Sequence, residues 1–357
     1  MSDEFTAELL QSSARGIASR AATELLDAKP RLVERFQPFA FSRWQDHLAH
    51  VVLELAASVR AGEPNLFSRY ATWSRYGMEI RGVQPEDLRD ALTTLHISIT
   101  EALPPASRDV VAGYLEEAIR AFDLAASSPE SHVDASTEAG ALAIQFITCV
   151  LESDRRAAIR GVVDAVDAGL SLEDAYSEVL LVAQREIGRM WHAGEVSVAE
   201  EHFVTDTART TMAVISQRDP ASPPNGHTVI VASVEGNVHD IAVRALGDLF
   251  EHRGWRAVAI GADLPVEDVI GAISAFDADL LALSATLSTQ VEATSRTIQR
   301  VRGLEQGSAV PVMVGGRVFD HAPGLWERIG ADGYAPSVRE APAIGADLIA
   351  HKNGSAS

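Results

Sequence analysis

The spacing of apolar residues changes along the chain, from helical stripes in the first third to short continuous runs in the last third. From residue 1 to about 128 the pattern predicts helices only. One example is the stripe between Leu48 and Leu55, which continues to Gly62, a residue type typical of helix ends. Ser42 and Gln45 have capping-box spacing and predict that this helix begins at Ser42. The pattern therefore predicts an N-terminal helical bundle over residues 1–128.

Two stretches poor in large apolar residues, 125–136 and 218–226, are predicted to be linkers. Between them, residues 138–217 form a second helical set. From 226 to 351, short apolar runs alternate with amphipathic segments, which predicts a five-stranded parallel sheet with crossover helices, a Rossmann-like (flavodoxin-like) domain. The fold class is thus α/β plus all-α. The predicted strands are His227–Val234, Arg256–Ile260, Asp279–Ser284, Val310–Val314 and a short one at Gly333–Tyr334.

Composition narrows the classes of function. The chain has 357 residues, 46% of them apolar, and no apolar run approaches the length that spans a bilayer. An acidic start at Met1 argues against a signal peptide, and the single cysteine, Cys149, fits a reducing compartment, so we expect a cytoplasmic protein. The formal charge of −20 argues against nucleic acid as a direct partner, because that affinity depends on Lys and Arg neutralising phosphates.

The turn after the first predicted strand carries the most informative residues. In open α/β sheets, ligands bind at such strand-to-helix turns. Here the run from Asn237 to Ala242 resembles the Asp-x-His-x-x-Gly signature of cobalamin-binding domains, with Asn237 in place of the carboxylate and Ala242 in place of the glycine. The resemblance implies that His239 is the lower axial ligand of cobalt. It implies cofactor contacts from Asn237, Val238, His239, Asp240 and Ile241. The amide oxygen of Asn237 can accept the second N–H of the histidine, but the amide cannot take up a proton.

Two further elements of that signature follow the third and fourth predicted strands. Ser284-Ala-Thr-Leu-Ser288 is similar to the Ser-x-Leu region, with Thr286 in the usual leucine position, and Gly315-Gly316 matches the Gly-Gly element. In the family, small residues admit the displaced dimethylbenzimidazole tail, and glycine lets the backbone approach a ligand closely. The residues implied to contact the cofactor are Ser284, Thr286, Leu287, Ser288, Gly315, Gly316, Gly333 and Tyr334.

The second helical set contains a tryptophan followed, after nine residues, by Glu-His. Ser197 and Glu200 have capping-box spacing, and Gly194 lets the chain reverse, so Trp191 and His202 are predicted to lie at one end of a helical hairpin. The pattern resembles the motif of CarH-type light sensors, which hold the adenosyl group of adenosylcobalamin. The resemblance implies that Trp191, Val198 and Glu201 enclose that group. It also implies that His202 binds the upper face of cobalt after illumination.

These resemblances predict a photoreceptor, not an enzyme, that binds adenosylcobalamin in base-off/His-on mode. Light would cleave the cobalt–carbon bond and change the packing of the helical cap and the state of a homo-oligomer. Two alternatives remain open: a corrinoid methyl carrier that serves a separate methyltransferase, and a signalling scaffold. A radical mutase is not expected, since the chain has no pattern for a substrate barrel.

The acidic N-terminal bundle, in place of a DNA-binding domain, resembles the arrangement in photocobilins, which also bind a bilin. Guanidinium groups pair with carboxylates and stack on flat rings, and aromatic side chains add stacking surface. We therefore predict noncovalent biliverdin binding there; the alternative is core aromatics with solvated arginines. No motif identifies the downstream protein partner. The side chains concerned are Arg69, Tyr70, Trp73, Arg75, Tyr76 and Arg81.

Overall fold

The computed structural model describes residues 3–125, 129–218, 222–304 and 310–355. The chain divides into two compact units, Met1–Ser128 and Pro129–Ser357. Parts of both predicted linkers, residues 126–128 and 219–221, lie outside the described residues.

The N-terminal unit is a helical bundle, as predicted. Its apolar core runs through all of its helices and is rich in alanine along the first, which lets that helix approach its neighbours closely. Of the six helices that the structure describes in this unit, four begin with proline in the first turn, where the missing N–H costs nothing. The helices are α1 (Asp3–Ala28), α2 (Pro30–Phe36), α3 (Ala40–Ala61), α4 (Pro64–Ile80), α5 (Pro85–Ala102) and α6 (Pro105–Leu124).

The ends of α3 test two details of the sequence prediction. Gly62 ends the helix at φ +67°, the left-handed conformation that favours glycine. The predicted start at Ser42 is wrong, because α3 begins at Ala40 and no side chain caps it. The Ser42 hydroxyl instead donates to the carbonyl of Phe39. A serine inside the first turn can make this backward bond, so capping-box spacing alone does not fix a helix start.

The second unit begins with a set of helices that we call the cap, residues 138–215. Side chains of Thr137, Asp154, Ser171 and Ser197 each accept a backbone N–H at a helix start, which explains where the chain turns into helix. The cap consists of α7 (Glu138–Leu151), α8 (Arg155–Asp167), α9 (Leu172–Asp174), a π-helix (Ala175–Leu180), α10 (Leu181–His192) and α11 (Val198–Ile215).

A five-stranded parallel sheet follows, in the order β2-β1-β3-β4-β5, which is the flavodoxin-like order. The strands are β1 (Thr228–Val234), β2 (Arg256–Leu264), β3 (Leu280–Ser284), β4 (Val312–Gly315) and β5 (Gly333–Ala335). The predicted fold class is confirmed, and β2 runs four residues farther than predicted because Leu264 pairs with Val234. The connecting helices are α12 (Ile241–His252), α13 (Val266–Ala275), a 3-10 helix (Ser288–Gln290), α14 (Val291–Arg302), α15 (Arg317–His321), α16 (Leu325–Arg328) and α17 (Ala341–Ser355).

Helix α12 joins the cap to the sheet. Ile241, Ala245 and Leu249 recur every four residues and belong to the core of the cap, whereas Val243 and Phe250 belong to the core of the sheet. Because α12 begins directly after the predicted cobalt-binding loop, this packing holds that loop between the two layers.

Among the described residues, no helix combines the length and the apolarity that crossing a membrane requires.

Candidate functional site

The candidate site lies at the carboxyl ends of β1 and β3, where the strand order reverses. In sheets of this order, the switch between these two strands is where ligands bind. Two loops leave the sheet there: residues 235–240, which we call the His239 loop, and residues 285–287, which we call the Thr286 loop. The structure thus brings the first two predicted signature elements together at this edge, and the glycine pair lies beside the second, since Gly315 pairs with Ser284.

Asn237 and His239 form a hydrogen-bonded pair in the His239 loop. The Nδ1 atom of His239 lies 2.8 Å from the Oδ1 atom of Asn237. Asn237 is fully buried. The Asn237 Nδ2 group donates to the Ser284 carbonyl at 3.1 Å and to the Ser233 hydroxyl at 3.3 Å, so its orientation is fixed by two acceptors. The oxygen must then face the imidazole, which puts the proton of His239 on Nδ1. Its Nε2 lone pair is left for a ligand.

Burial favours the neutral form of this imidazole. Desolvation lowers the pKa of His239, and it outweighs the carboxylates of Glu201 and Asp240, which act in the opposite direction. A neutral imidazole is the form that binds a metal. Within the described part of the chain, the Nε2 atom makes no hydrogen bond to protein.

The Thr286 loop reaches the same amide. The hydroxyl of Thr286 donates to the Asn237 oxygen at 3.3 Å. Ser288 is buried at the start of the following 3-10 helix, whereas Leu287 is exposed. Threonine in the usual leucine position therefore adds a polar contact to the group that orients His239.

The second glycine of the pair, Gly316, is required by close contact with the Thr286 loop. Gly316 has φ +103°, and an added Cβ atom would lie 2.2 Å from the carbonyl oxygen of Ala285. The prediction gave these glycines a different reason, access for a cofactor tail. Farther along the same edge, Gly333 is buried in β5, and the Tyr334 hydroxyl donates to Asp320 at 2.6 Å.

The predicted hairpin is present in the cap. Trp191 lies in the last turn of α10 and is half-buried, Gly194 reverses the chain at φ +68°, and α11 starts with the predicted capping box of Ser197 and Glu200. His202 lies one turn into α11, with Nε2 3.5 Å from the Glu201 carboxylate and most of its side chain exposed.

Helix α11 also ties the hairpin to the His239 loop. Arg209 donates to both carboxylate oxygens of Asp240, with the shortest bond at 2.8 Å, so the two elements are linked by a bidentate ion pair. Glu201 lies on the same face of α11, since Glu201, Thr205 and Arg209 recur every four residues. We did not predict Arg209, although this spacing was readable in the sequence.

Apolar side chains are exposed around this site. In the described part of the second unit, four large apolar side chains are exposed, and three of them belong to the hairpin and the two loops: Val198, Val238 and Leu287. The described residues contain no group of three or more His, Cys, Asp or Glu side chains arranged for a metal ion. One oriented imidazole within an apolar surface fits a metal whose other ligands come from a large, partly apolar cofactor.

Comparison with known proteins agrees with this geometry. Two family models, each described as a B12 binding domain, match residues 142–216 and 227–343. The chain carries a cobalamin-binding module. Its relatives include dimethylamine corrinoid protein 3 of Methanosarcina acetivorans, 28% identical over 52% of this chain and 87% of the relative. The HTH-type transcriptional repressor CarH of Myxococcus xanthus is 28% identical over 48% of this chain and 56% of the relative.

A solved structure shares the fold of this module. The monomethylamine corrinoid protein of Methanosarcina barkeri superimposes with a TM-score of 0.52 over 58% of this chain and 98% of that chain, at 20% identity. At this identity the likeness shows the fold alone.

The residues predicted to bind biliverdin lie on helix α4 and at its C-terminal end, in the N-terminal unit. Arg69 and Trp73 are exposed, while Arg75 turns inward, where it pairs with Glu79 and donates to the carbonyl of Phe122. The Arg81 guanidinium donates to the carbonyl of Gly77. A small cavity lies beside Arg75, and its polar lining comes from His47, Tyr70, Ser74 and Arg75.

Proposed function

We propose that the protein is a cobalamin-dependent light sensor that holds adenosylcobalamin against its cap. The observation that carries the proposal is the hairpin: Trp191, Val198, Glu201 and His202 lie on the two sides of one turn, on the helix pair that Arg209 ties to the His239 loop. Bound adenosylcobalamin would supply a cobalt–carbon bond that light breaks. Neither this function nor its alternative assigns a catalytic residue to the chain.

The residues of the chain divide this task. His239 offers Nε2 to cobalt, and the buried Asn237 amide fixes its tautomer without a carboxylate that could exchange a proton. Trp191 and Val198 provide apolar cover, with Glu201 beside them. The side chain of His202 is mostly exposed and contacts the Glu201 carboxylate at 3.5 Å, so it can reorient by leaving that one contact, which suits a second axial ligand. Because Trp191 packs on the cap core, a change in what covers it would alter cap packing and, we propose, the state of a homo-oligomer.

A second function, corrinoid methyl carrier, is favoured by the comparisons. The module aligns with 87% of dimethylamine corrinoid protein 3, against 56% of CarH. A carrier must present its cofactor to a partner protein, and the exposed Val198, Val238 and Leu287 would suit such docking. Against it stands Asn237, because the neutral amide cannot couple a proton to changes in the charge of cobalt.

One experiment separates the two functions. The protein is loaded in darkness with adenosylcobalamin or methylcobalamin, and its absorption spectrum and hydrodynamic size are recorded before and after illumination. A light sensor loaded with the adenosyl form should change its hydrodynamic size on illumination. Its changed absorption spectrum should then persist, because a side chain of the protein takes the upper axial position on cobalt. Identical dark and illuminated size, together with methyl transfer from the methyl form to a thiol acceptor when a methyltransferase is added, would support the carrier.

We also propose biliverdin as a second chromophore, in the N-terminal unit. The support is the pairing of aromatic and cationic side chains around the small cavity, notably Tyr70 and Arg75. The cavity would have to widen to admit a tetrapyrrole. Adding biliverdin to the full chain should give a red-shifted visible band that Tyr70→Ala weakens and Tyr334→Ala, in the other unit, leaves unchanged. No shifted band with the full chain would contradict this part of the proposal.

A further inference from the structure

Gln290 connects the two loops of the site. It is the last residue of the 3-10 helix after β3 and is only 3% exposed. Its Oε1 atom accepts the backbone N–H of Thr286 at 2.7 Å and that of Leu287 at 3.0 Å. Its Nε2 group donates to the carbonyl of Gly236 at 3.0 Å. One amide thus satisfies two donors of the Thr286 loop and one acceptor of the His239 loop.

The bond to Gly236 fixes the peptide next to Asn237. The N–H of Gly236 donates to the Asp263 carboxylate at 2.8 Å, so this residue is held from both sides. Gly236 has φ +80°, a conformation that few other residues adopt. The main chain leading into Asn237 is therefore held by contacts from outside its own loop.

The bonds to the Thr286 loop complete the arrangement. They fix the backbone of Thr286, whose hydroxyl reaches the Asn237 oxygen. The oxygen that receives the His239 imidazole is thus approached from two loops whose separation is set by Gln290. Glutamine suits this task because its head carries both an acceptor and donors.

We infer that Gln290 is a positioning residue that holds the Asn237–His239 pair in the geometry that aims His239 at cobalt. This inference rests on the proposed role of His239 as the lower ligand. Gln290 does not touch the cofactor in this role; it acts by keeping the two loops in register. Losing a residue that supports a metal ligand typically weakens metal affinity by about 10- to 100-fold.

The test compares Gln290→Met, which has similar volume and no polar head, with Gln290→Glu, which keeps the acceptor but cannot donate to Gly236. Gln299→Met, at an exposed position on α14, is the matched control. Cobalamin affinity is measured for each. The electron paramagnetic resonance spectrum of cob(II)alamin bound to nitrogen-15-labelled protein then reports coupling to a protein nitrogen and distinguishes a bound histidine from the vitamin's own, unlabelled base. Hydrogen exchange of residues 235–240 in the cofactor-free protein reports the loop itself.

Gln290→Met should lower affinity about 10- to 100-fold, give a mixed or lost nitrogen coupling, and speed exchange in the His239 loop. Gln290→Glu should show smaller changes in the same direction. If Gln290→Met does not fold, the same three measurements on Gln290→Glu test the inference. Wild-type exchange and wild-type nitrogen coupling in both variants would overturn the inference. If the wild-type protein itself lacks nitrogen coupling, the ligand role of His239 fails, while faster exchange still supports Gln290 as the link between the loops.

Discussion

The two ends of the cap differ in how firmly they are tied to the sheet. At the end that holds the π-helix, the Tyr176 hydroxyl donates to Asp248 at 2.6 Å, and Arg339 bridges Asp174 and Glu178. At the other end, Trp191 is half-buried, and the side chains of Val198 and His202 are largely exposed. Tyr176 and Trp191 are 15 positions apart in continuous helix, roughly 22 Å at 1.5 Å per residue.

This difference indicates which end can respond to a ligand. A helical layer that is anchored at one end and open at the other can change its angle at the open end while its anchor stays packed. The open end faces the His239 loop, because the Glu201 carboxylate at this end acts to raise the pKa of His239 against the effect of burial. Under the proposed function, the loops of the sheet bind the cofactor and the hairpin responds to it.

The largest effect should come from removing the proposed cobalt ligand. We expect His239→Ala to weaken cobalamin binding by at least about 100-fold, since loss of a ligand should exceed the loss of a residue that supports one. Titration followed by absorption spectroscopy in darkness measures this, and His351→Ala, an exposed histidine on α17, is the control. Wild-type affinity with an unchanged cobalt spectrum in His239→Ala would remove His239 from the site.

The amide that orients this histidine should matter somewhat less. Asn237→Ala removes the acceptor of the Nδ1 proton and leaves the Ser284 carbonyl without its donor, so we expect affinity to fall by about 10- to 100-fold. Asn225→Ala, exposed at the start of the sheet domain, is the control. Equal affinities of the two variants would mean that the imidazole is oriented by other contacts.

Much of this site could be predicted from local sequence. The strands read as continuous apolar runs because both faces of the sheet are covered, and the capping box located the hairpin within one residue. Gln290, Ser233 and Arg209 were not predicted. The first contacts a residue 54 positions away, and such pairings depend on the strand order, which no short motif encodes.

At the open end of the cap, Trp191→Ala should uncouple the hairpin from the cofactor. If light sensing is correct, we expect the difference in elution volume between dark and illuminated adenosylcobalamin-loaded protein to shrink by half or more, because the cap loses the side chain that packs beside the ligand. Trp326→Ala, another half-buried tryptophan of the same unit, should keep the full difference. A full difference in Trp191→Ala would place the response elsewhere.

The smallest effect should come from a substitution at the anchored end of the cap, and it should change the stability of the protein. Tyr176 is fully buried, and Tyr176→Phe removes the donor to Asp248, which should lower the free energy of unfolding by about 1–3 kcal/mol. Burial raises the pKa of the Asp248 carboxyl, and the bond from Tyr176 opposes that rise. A carboxyl whose pKa is higher in the folded state contributes most below its unfolded pKa, about 3.9, and loses that contribution as pH rises through the folded pKa.

Removing the opposing bond raises the pKa of Asp248 in the folded state further. The cost of Tyr176→Phe should therefore be larger at pH 7 than at pH 4, because the carboxylate form, which accepts the stronger bond, is less populated at the lower pH. Denaturant unfolding at the two pH values measures the difference. In an Asp248→Asn background the pH dependence of that cost should disappear, because the titrating partner is gone. If Tyr176→Phe lowers the free energy of unfolding equally at both pH values in the wild-type background, Tyr176 anchors the cap by packing alone. The difference between the two ends of the cap would then come from burial and not from the bond between Tyr176 and Asp248.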